Sequence, residues 1–304
     1  MSVSGVISNI SRGSLHDGVG VRTVVYFKGC PMRCKWCHNP ETFEKRCDIM
    51  FAAEKCIGCG ECARVCPECH VIVDGVLKFR REGCAGCGRC ADACMAGALS
   101  VCGERYTAEE IFAKVMKDSH YYRESGGGVT LSGGECLTQA DFAVAILEKC
   151  RSEGINTAIE SAFCVPFANV QKVLPYTDHI FADLKHHDAE LHKRYTGVSN
   201  DLIIDNLRKV SQLHKSMTVR IPLIPGVNDS IGDMSGFAGI IRTFGDGIKD
   251  VELLRYNYLA GAKYENFGLE YVSFSERAQS DTQTNALTAA LNRALDGKCT
   301  AFCR

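Results

Sequence analysis

The sequence predicts an α/β fold, a partial, open (β/α)6 barrel interrupted after its first strand by a cysteine-rich insert. Three observations carry this. β-branched and aromatic runs alternate with amphipathic helical patterns, the rhythm of a parallel sheet covered by helices. Residues 47–103 break that rhythm and carry two matching cysteine runs. With the insert removed, roughly 240 residues remain for about six βα units, short of the eight that about 250 residues close into a full barrel.

Taken in order, strands are expected at 21–27, 129–132, 157–159, 179–182, 217–221 and 251–254, where Val, Ile, Thr and Phe cluster. Helices are expected at 108–116, 140–153, 166–174, 189–195, 202–214 and 234–244, and a final one at 276–295. The expected divisions are 1–46, the start of the barrel with a cysteine loop; 47–103, the insert; and 104–304, the rest of the barrel and the C-terminal helix.

The chain has 304 residues, is 46% hydrophobic and carries a formal net charge of −1. It can bury a sizeable core, and its charge gives no reason to expect nucleic-acid or membrane binding. The opening residues lack a basic start followed by a long apolar stretch, and no apolar run of about 18 residues occurs. A cytoplasmic location is expected, where thiols stay reduced, so nineteen cysteines point to metal rather than disulfides.

Cys30, Cys34 and Cys37 form a CxxxCxxC triplet. A [4Fe–4S] cube has four iron corners, usually held by Cys thiolates, so three thiolates leave one iron open to a small molecule. A zinc site would need a fourth ligand at suitable spacing, and His38, directly after Cys37, cannot easily close that tetrahedron. Cys56, Cys59, Cys62 and Cys66, then Cys84, Cys87, Cys90 and Cys94, repeat the bacterial ferredoxin spacing. In such pairs the fourth Cys of each run ligates the other cluster. One [4Fe–4S] cluster is therefore expected on Cys56, Cys59, Cys62 and Cys94, and another on Cys84, Cys87, Cys90 and Cys66. The other eight cysteines default to small buried hydrophobes, although Cys47 and Cys69 lie near enough to replace a ligand and Cys299 and Cys303 could form a redox pair.

The remaining candidate residues fall at successive predicted strand ends, where parallel α/β folds bind ligands. The cysteine triplet follows the first strand, Gly133-Gly134-Glu135 the second, Glu160 the third, Asp183-Leu184-Lys185 the fourth, Arg220 the fifth and Asn257 the sixth.

The triplet, with Trp36 before its third Cys and His38 after it, resembles the S-adenosylmethionine (SAM) loop of radical SAM enzymes. The upstream run His16-Asp17-Gly18-Val19-Gly20-Val21-Arg22 narrows the resemblance to activating enzymes of glycyl radical enzymes, with Val19 where that family usually has Pro. It implies a partial barrel and three [4Fe–4S] clusters. SAM would chelate the open iron of the Cys30, Cys34 and Cys37 cluster, and Gly133 and Gly134, beside Glu135, would let backbone approach its methionyl end without Cβ obstruction. Glu160, Asp183, Leu184, Lys185 and Arg220 would complete the SAM site, with Glu160, Asp183 and Lys185 engaging its amine, carboxylate or ribose or coordinating a cation between carboxylates, and Trp36, Cys37 and His38 would hold the adenine. Asn257 stands where the family often has His; it can hydrogen-bond but cannot titrate near neutral pH.

The resemblance further implies that a 5′-deoxyadenosyl radical takes hydrogen from a backbone glycine of a partner glycyl radical enzyme of the dehydratase, lyase or decarboxylase type. A flavodoxin or ferredoxin-type protein would be the reductant. Asp17 and Gly18 would receive the partner loop or simply form an Asp-Gly turn. Two other classes stay open, another radical SAM maturase with auxiliary clusters and a ferredoxin-like electron carrier. An open iron argues against the carrier.

Overall fold

The computed structural model describes residues 3–214 and 216–303. Its strands are β1 (Ser4–Ser14), β2 (Arg22–Phe27), β3 (Asp48–Phe51), β4 (His70–Val73), β5 (Val76–Phe79), β6 (Leu99–Cys102), β7 (Glu104–Thr107), β8 (Gly128–Gly133), β9 (Asn156–Ser161), β10 (His179–Asp183), β11 (Met217–Pro222), β12 (Ile248–Leu254) and β13 (Thr300–Cys303). Its α-helices are α1 (Glu61–Val65), α2 (Arg89–Asp92), α3 (Ala108–Val115), α4 (Ser119–Ser125), α5 (Ala140–Ser152), α6 (Phe167–Val173), α7 (Ala189–Thr196), α8 (Asp201–Leu213), α9 (Ile231–Ile241), α10 (Gly261–Asn266) and α11 (Asp281–Leu295).

Nine strands form one sheet in the order β13-β12-β11-β10-β9-β8-β2-β1-β7. Every neighbouring pair from β2 to β13 is parallel, whereas β1 runs antiparallel to both β2 and β7. The parallel run thus has a seventh strand, β13, beyond the six expected. It is only four residues long and directly follows the last helical pattern, so its Thr-Ala-Phe-Cys carries too little periodicity to stand out. β1 was also unmarked, because SGVISNISRGS is polar and Gly-containing and lies half-exposed along much of its length. Among the described residues no pairing joins β13 to β7, so the sheet is open.

The parallel strands are covered on both sides and therefore read as near-continuous apolar runs. Val25, Leu131, Ile159, Ala182, Val219 and Val251 are fully buried. Side-chain caps set the helix starts. Thr107 and Glu110 make a reciprocal capping box on α3, and Ser230 and Asp233 make another on α9. The second box is why α9 begins at Ile231 instead of the expected 234. α11 begins at Asp281 rather than 276, because the Ser280 hydroxyl accepts from the Gln283 amide at 3.2 Å. No described helix is long and apolar enough to cross a membrane.

Residues 47–103 hold two small antiparallel sheets, β3 with β6 and β4 with β5, beside α1 and α2. Ile49, Cys62, Leu77, Cys90 and Leu99 form a separate apolar cluster there. Two cations fasten this segment to the barrel. Lys28 is fully buried, donates to the Glu41 carbonyl at 2.6 Å and faces the Asp48 carboxylate at 3.5 Å. Arg81 donates to the carbonyls of Ile49 and Asn266 while its guanidinium lies over the rings of Phe79 and Phe267.

Candidate active site

A cavity of about 500 Å³ opens at the carboxyl ends of the parallel strands. Register sets the neighbours of its polar groups, with Asp183 two residues further along β10 than the partner of Glu160. Tyr26 pairs with Ser132 across β2 and β8, Glu160 with Phe181 across β9 and β10, and Asp183 with Arg220 across β10 and β11. Of the residues expected from sequence, Asp17, Cys34, Trp36, Cys37, His38, Gly133, Gly134, Glu160, Asp183, Lys185 and Asn257 line the cavity.

The cysteine loop is held by bonds from distant segments. The Arg33 and Lys35 amides donate to the carbonyls of Thr196 and Tyr195 at 2.8 and 2.9 Å, at the end of α7. From the α10 region, the Tyr264 hydroxyl donates to the Cys37 carbonyl at 3.0 Å, and Lys263 donates to Asn39 at 2.9 Å and pairs with Glu41 at 2.8 Å. Trp36 packs against Tyr195 and Phe274, both with ring centroids 6.1 Å away, and so supports the loop as well as lining the cavity. Cys30 packs against the core beside the other two cysteines. Burial pushes its thiol up to about 12 and raises those of Cys34 and Cys37 as well, with Lys185 pulling in the other direction. Three desolvated sulfurs beside a cation form a donor set suited to a cationic metal centre that takes thiolates. His38 adds a buried Nε2 with no protein partner.

Charges on and behind the cavity wall are paired. Lys185 contacts Asp183 at 2.9 Å. Burial disfavours the lysine's charge, but Asp183 and the Cys34 and Cys30 sulfurs outweigh it and hold its pKa above the ordinary value. Arg220 sits between Glu160 at 2.6 Å and Glu252 at 2.8 Å, donates to the His16 carbonyl at 3.0 Å and lies over the Phe181 ring. Although burial opposes it, Arg220, helped by a Ser132 hydroxyl bond, keeps Glu160 below the usual carboxylate range. Arg220 is thus a support for Glu160 and is not itself on the cavity wall. Leu184 is likewise fully buried behind that wall.

Glu135 also lies behind it, 1% exposed. Its carboxylate accepts from the Ser161 hydroxyl at 2.8 Å and from the Leu137 and Ala162 amides at 3.2 and 3.0 Å, stitching the turn after β8 to the turn after β9. Burial pushes it up to about 7. The two glycines before it are dictated by backbone packing. Gly133 has φ +110°, and a Cβ there would meet the Phe27 backbone at 2.4 Å; at Gly134 a Cβ would lie 2.6 Å from the Gly29 carbonyl oxygen. They allow the β8 turn to lie directly against the entry to the cysteine loop, which is a different reason from clearance for a ligand.

Asp17 reaches the cavity on a segment fastened to the inner face of the sheet. The Thr130 hydroxyl donates to the Asp17 carbonyl at 2.7 Å, and buried Arg22 donates to Thr130 at 2.7 Å, to Asn156 at 2.9 Å and to the Val19 carbonyl at 3.3 Å. Gly18 has φ +138°, and a Cβ there would meet the Arg22 side chain at 2.6 Å; it lies off the cavity lining. Sequence reasoning missed Tyr26, Ser132, Ile224 and Tyr256 on the lining. The first two alternate with known core positions on β2 and β8, a period-2 signal that could have found them. Nothing local marks Tyr264 or Lys263.

The insert gathers nine of its eleven cysteines onto two cavities, Cys47 and Cys102 lying outside both linings. Cys56, Cys59, Cys62 and Cys94 line one; Cys66, Cys84, Cys87 and Cys90 line the other, together with Cys69.

The sequence profile described as the Radical SAM superfamily matches residues 24–238. The chain is 42% identical over 277 residues to the (2S)-3-sulfopropanediol dehydratase activating enzyme of Klebsiella oxytoca, covering 89% of this chain and 87% of that protein. It is 40% identical over 294 residues to the choline trimethylamine-lyase activating enzyme of Oleidesulfovibrio alaskensis, covering 95% of each. Among solved structures, a radical SAM methyltransferase from Sphaerobacter thermophilus shares the fold, with TM-score 0.55 and 15% identity over 98% of this chain and 76% of that one.

Proposed function

Because the chain belongs to the radical SAM superfamily, and within it to the activating enzymes of glycyl radical enzymes, we propose that its substrate is a glycine-bearing loop of a partner of the dehydratase, lyase or decarboxylase type, reached through the cavity at the strand ends. The observation that carries this reading is the meeting of the three-cysteine loop with Glu160, Asp183 and Lys185 around one cavity of about 500 Å³, within the size range of small-molecule sites. Cys30, Cys34 and Cys37 would hold a [4Fe–4S] cluster with one open iron, next to SAM. When bound, this pair supplies a 5′-deoxyadenosyl radical able to take hydrogen from a glycine Cα.

The chain's own residues bind and exclude. Lys185 offsets thiolate charge at Cys34 and Cys30. Glu160 and Asp183 present carboxylates to SAM's amine and ribose, and Ser132 and Arg220 fix Glu160 in orientation. Trp36, Tyr26, Ile224 and Tyr256 supply apolar walls for the adenosyl group and keep stray water from the reacting centre. Asp17, on its braced segment, would meet the incoming loop. We divide the chain into 1–46, 47–103 and 104–304, the middle part being a ferredoxin-like module with two further [4Fe–4S] clusters. The two cysteine cavities support that reading. This module would take electrons from a flavodoxin or ferredoxin-type donor.

The test is anaerobic. After cluster reconstitution and addition of dithionite and SAM, the parent should form 5′-deoxyadenosine and Cys34→Ala should form none. Incubation with candidate dehydratases, lyases and decarboxylases should then give a glycyl radical signal by electron paramagnetic resonance (EPR). Intact clusters without product would refute the reading.

A further inference from the structure

The two cysteine cavities of the insert differ in chemistry. The first is walled by Ile57, Ile72, Leu77, Ala93, Ala98 and Leu99. The second contains His70. This residue is 1% exposed, and its ring stacks on Phe79 with centroids 4.7 Å apart. Neither ring nitrogen has a protein partner. A neutral imidazole always carries one N–H, and burying it unbonded is costly, so the ring brings an unused donor to a cavity of thiolate ligands. The buried Cys69 lines the same cavity as Cys66 and Cys84.

Reducing a cluster adds negative charge. Hydrogen bonds to its sulfurs stabilise that charge and raise the potential, whereas dry apolar walls lower it. We propose that His70 donates an N–H···S hydrogen bond to the cluster on Cys66, Cys84, Cys87 and Cys90, making this the higher-potential member of the insert pair. The inference rests on the two-cluster reading of the insert. The step concerned is uptake of one electron by the cluster from the reductant; the imidazole keeps its proton and acts as a hydrogen-bond donor to the cluster, not a ligand. Cys84 also borders a cavity of about 270 Å³ whose other wall includes Arg33, Pro40 and Phe43 of the barrel. The cluster that holds an electron more firmly is therefore the one facing the SAM-binding loop.

The experiment is an EPR-monitored potentiometric titration of the full-length, anaerobically reconstituted protein. His70→Phe keeps the stack on Phe79 and removes both nitrogens; His70→Gln restores a donor. The parent's insert clusters should titrate apart. His70→Phe should lower the upper midpoint by roughly tenfold in the reduced-to-oxidised ratio at fixed potential, about 59 mV for one electron, and leave the lower one in place, with His70→Gln recovering most of the shift. An unmoved upper midpoint at parental iron content overturns the proposal, as do parent insert clusters that titrate together. Pulsed EPR of the parent labelled with ¹⁵N-histidine gives a readout that needs no variant: a weak nitrogen coupling to the reduced upper cluster is expected, and its absence overturns the proposal even where His70→Phe loses iron. Iron and sulfide analysis separates the levels. A parent holding one cluster refutes the two-cluster insert, whereas three clusters without histidine dependence refute only the role of His70.

Discussion

Arg220→Met removes the cation shared by two carboxylates on and behind the cavity wall. The wild-type guanidinium is 5% exposed and contacts Glu160 at 2.6 Å and Glu252 at 2.8 Å. Breaking a buried pair from one side costs about 3–5 kcal/mol, since the remaining charge stays desolvated. Loss of the 3.0 Å bond to the His16 carbonyl and of the ring contact with Phe181 adds about 1 kcal/mol. Methionine refills much of the aliphatic volume, so the cavity contribution is small. The expected total is about 4–6 kcal/mol, a large share of a typical domain's stability, and the assay is anaerobic urea unfolding of the reconstituted protein followed by circular dichroism. Neutralising one of the two carboxylates as well should help: Arg220→Met with Glu160→Gln should be more stable than Arg220→Met alone by at least about 1.5 kcal/mol. A single variant within about 1 kcal/mol of the parent would show that the pair behaves as a solvent-screened one, and the reasoning would fail. A double variant no better than the single would refute the attribution to Glu160.

Burial raises Glu135 from an ordinary 4.5 to about 7, so between those values the folded state binds more protons than the unfolded one. Its stabilising contribution is fully present below about pH 4.5 and is lost as pH rises through about 7, roughly 3 kcal/mol in all; Glu135→Gln should flatten that part of the stability–pH curve, and an unchanged slope would contradict the assignment. Gly134→Ala puts a Cβ 2.6 Å from the Gly29 carbonyl oxygen and 3.0 Å from that of Thr42. It should cost about 1–3 kcal/mol and lower iron loading at Cys30, Cys34 and Cys37, measured by iron content beside 5′-deoxyadenosine yield; parental values of both would count against the packing argument. Arg81→Ala removes two carbonyl bonds and two ring contacts at the insert–barrel junction. Hydrogen exchange should speed up in Val76–Phe79 and Gly261–Asn266 while the β8–β11 amides keep their protection, and uniform loosening would argue against a local clasp.

Covalent spacing made much of this protein legible. CxxxCxxC and the two repeated cysteine runs can be read directly along the chain, and Gly58, Gly60, Gly86 and Gly88 of the repeated runs take the positive φ of tight turns. The parallel strands were legible because burial on both faces leaves continuous β-branched runs; β10 and β11 begin at the expected residues. β1 and β13 were not, since one is half-exposed and the other too short to show a period.

The roles of individual residues depended on three-dimensional neighbours. Gly133, Gly134, Glu135, Leu184 and Arg220 stand in one linear motif set with Asp183 and Lys185, yet the fold packs Gly133 against the β2 backbone and Gly134 against Gly29 and Thr42, and puts the other three behind the cavity wall. The clamp on the cysteine loop comes from Tyr264 and Lys263, more than two hundred residues along the chain, and the vacant nitrogens of His70 emerge only when β4 and β5 pack. By itself the sequence determined the spacing of the cysteine runs and which segments must be buried, because spacing and hydrophobic periodicity are local properties. Only the tertiary structure decided which polar groups face the reacting centre and which brace it, because a side chain's electrostatic role is set by charges and donors that the chain brings together from afar.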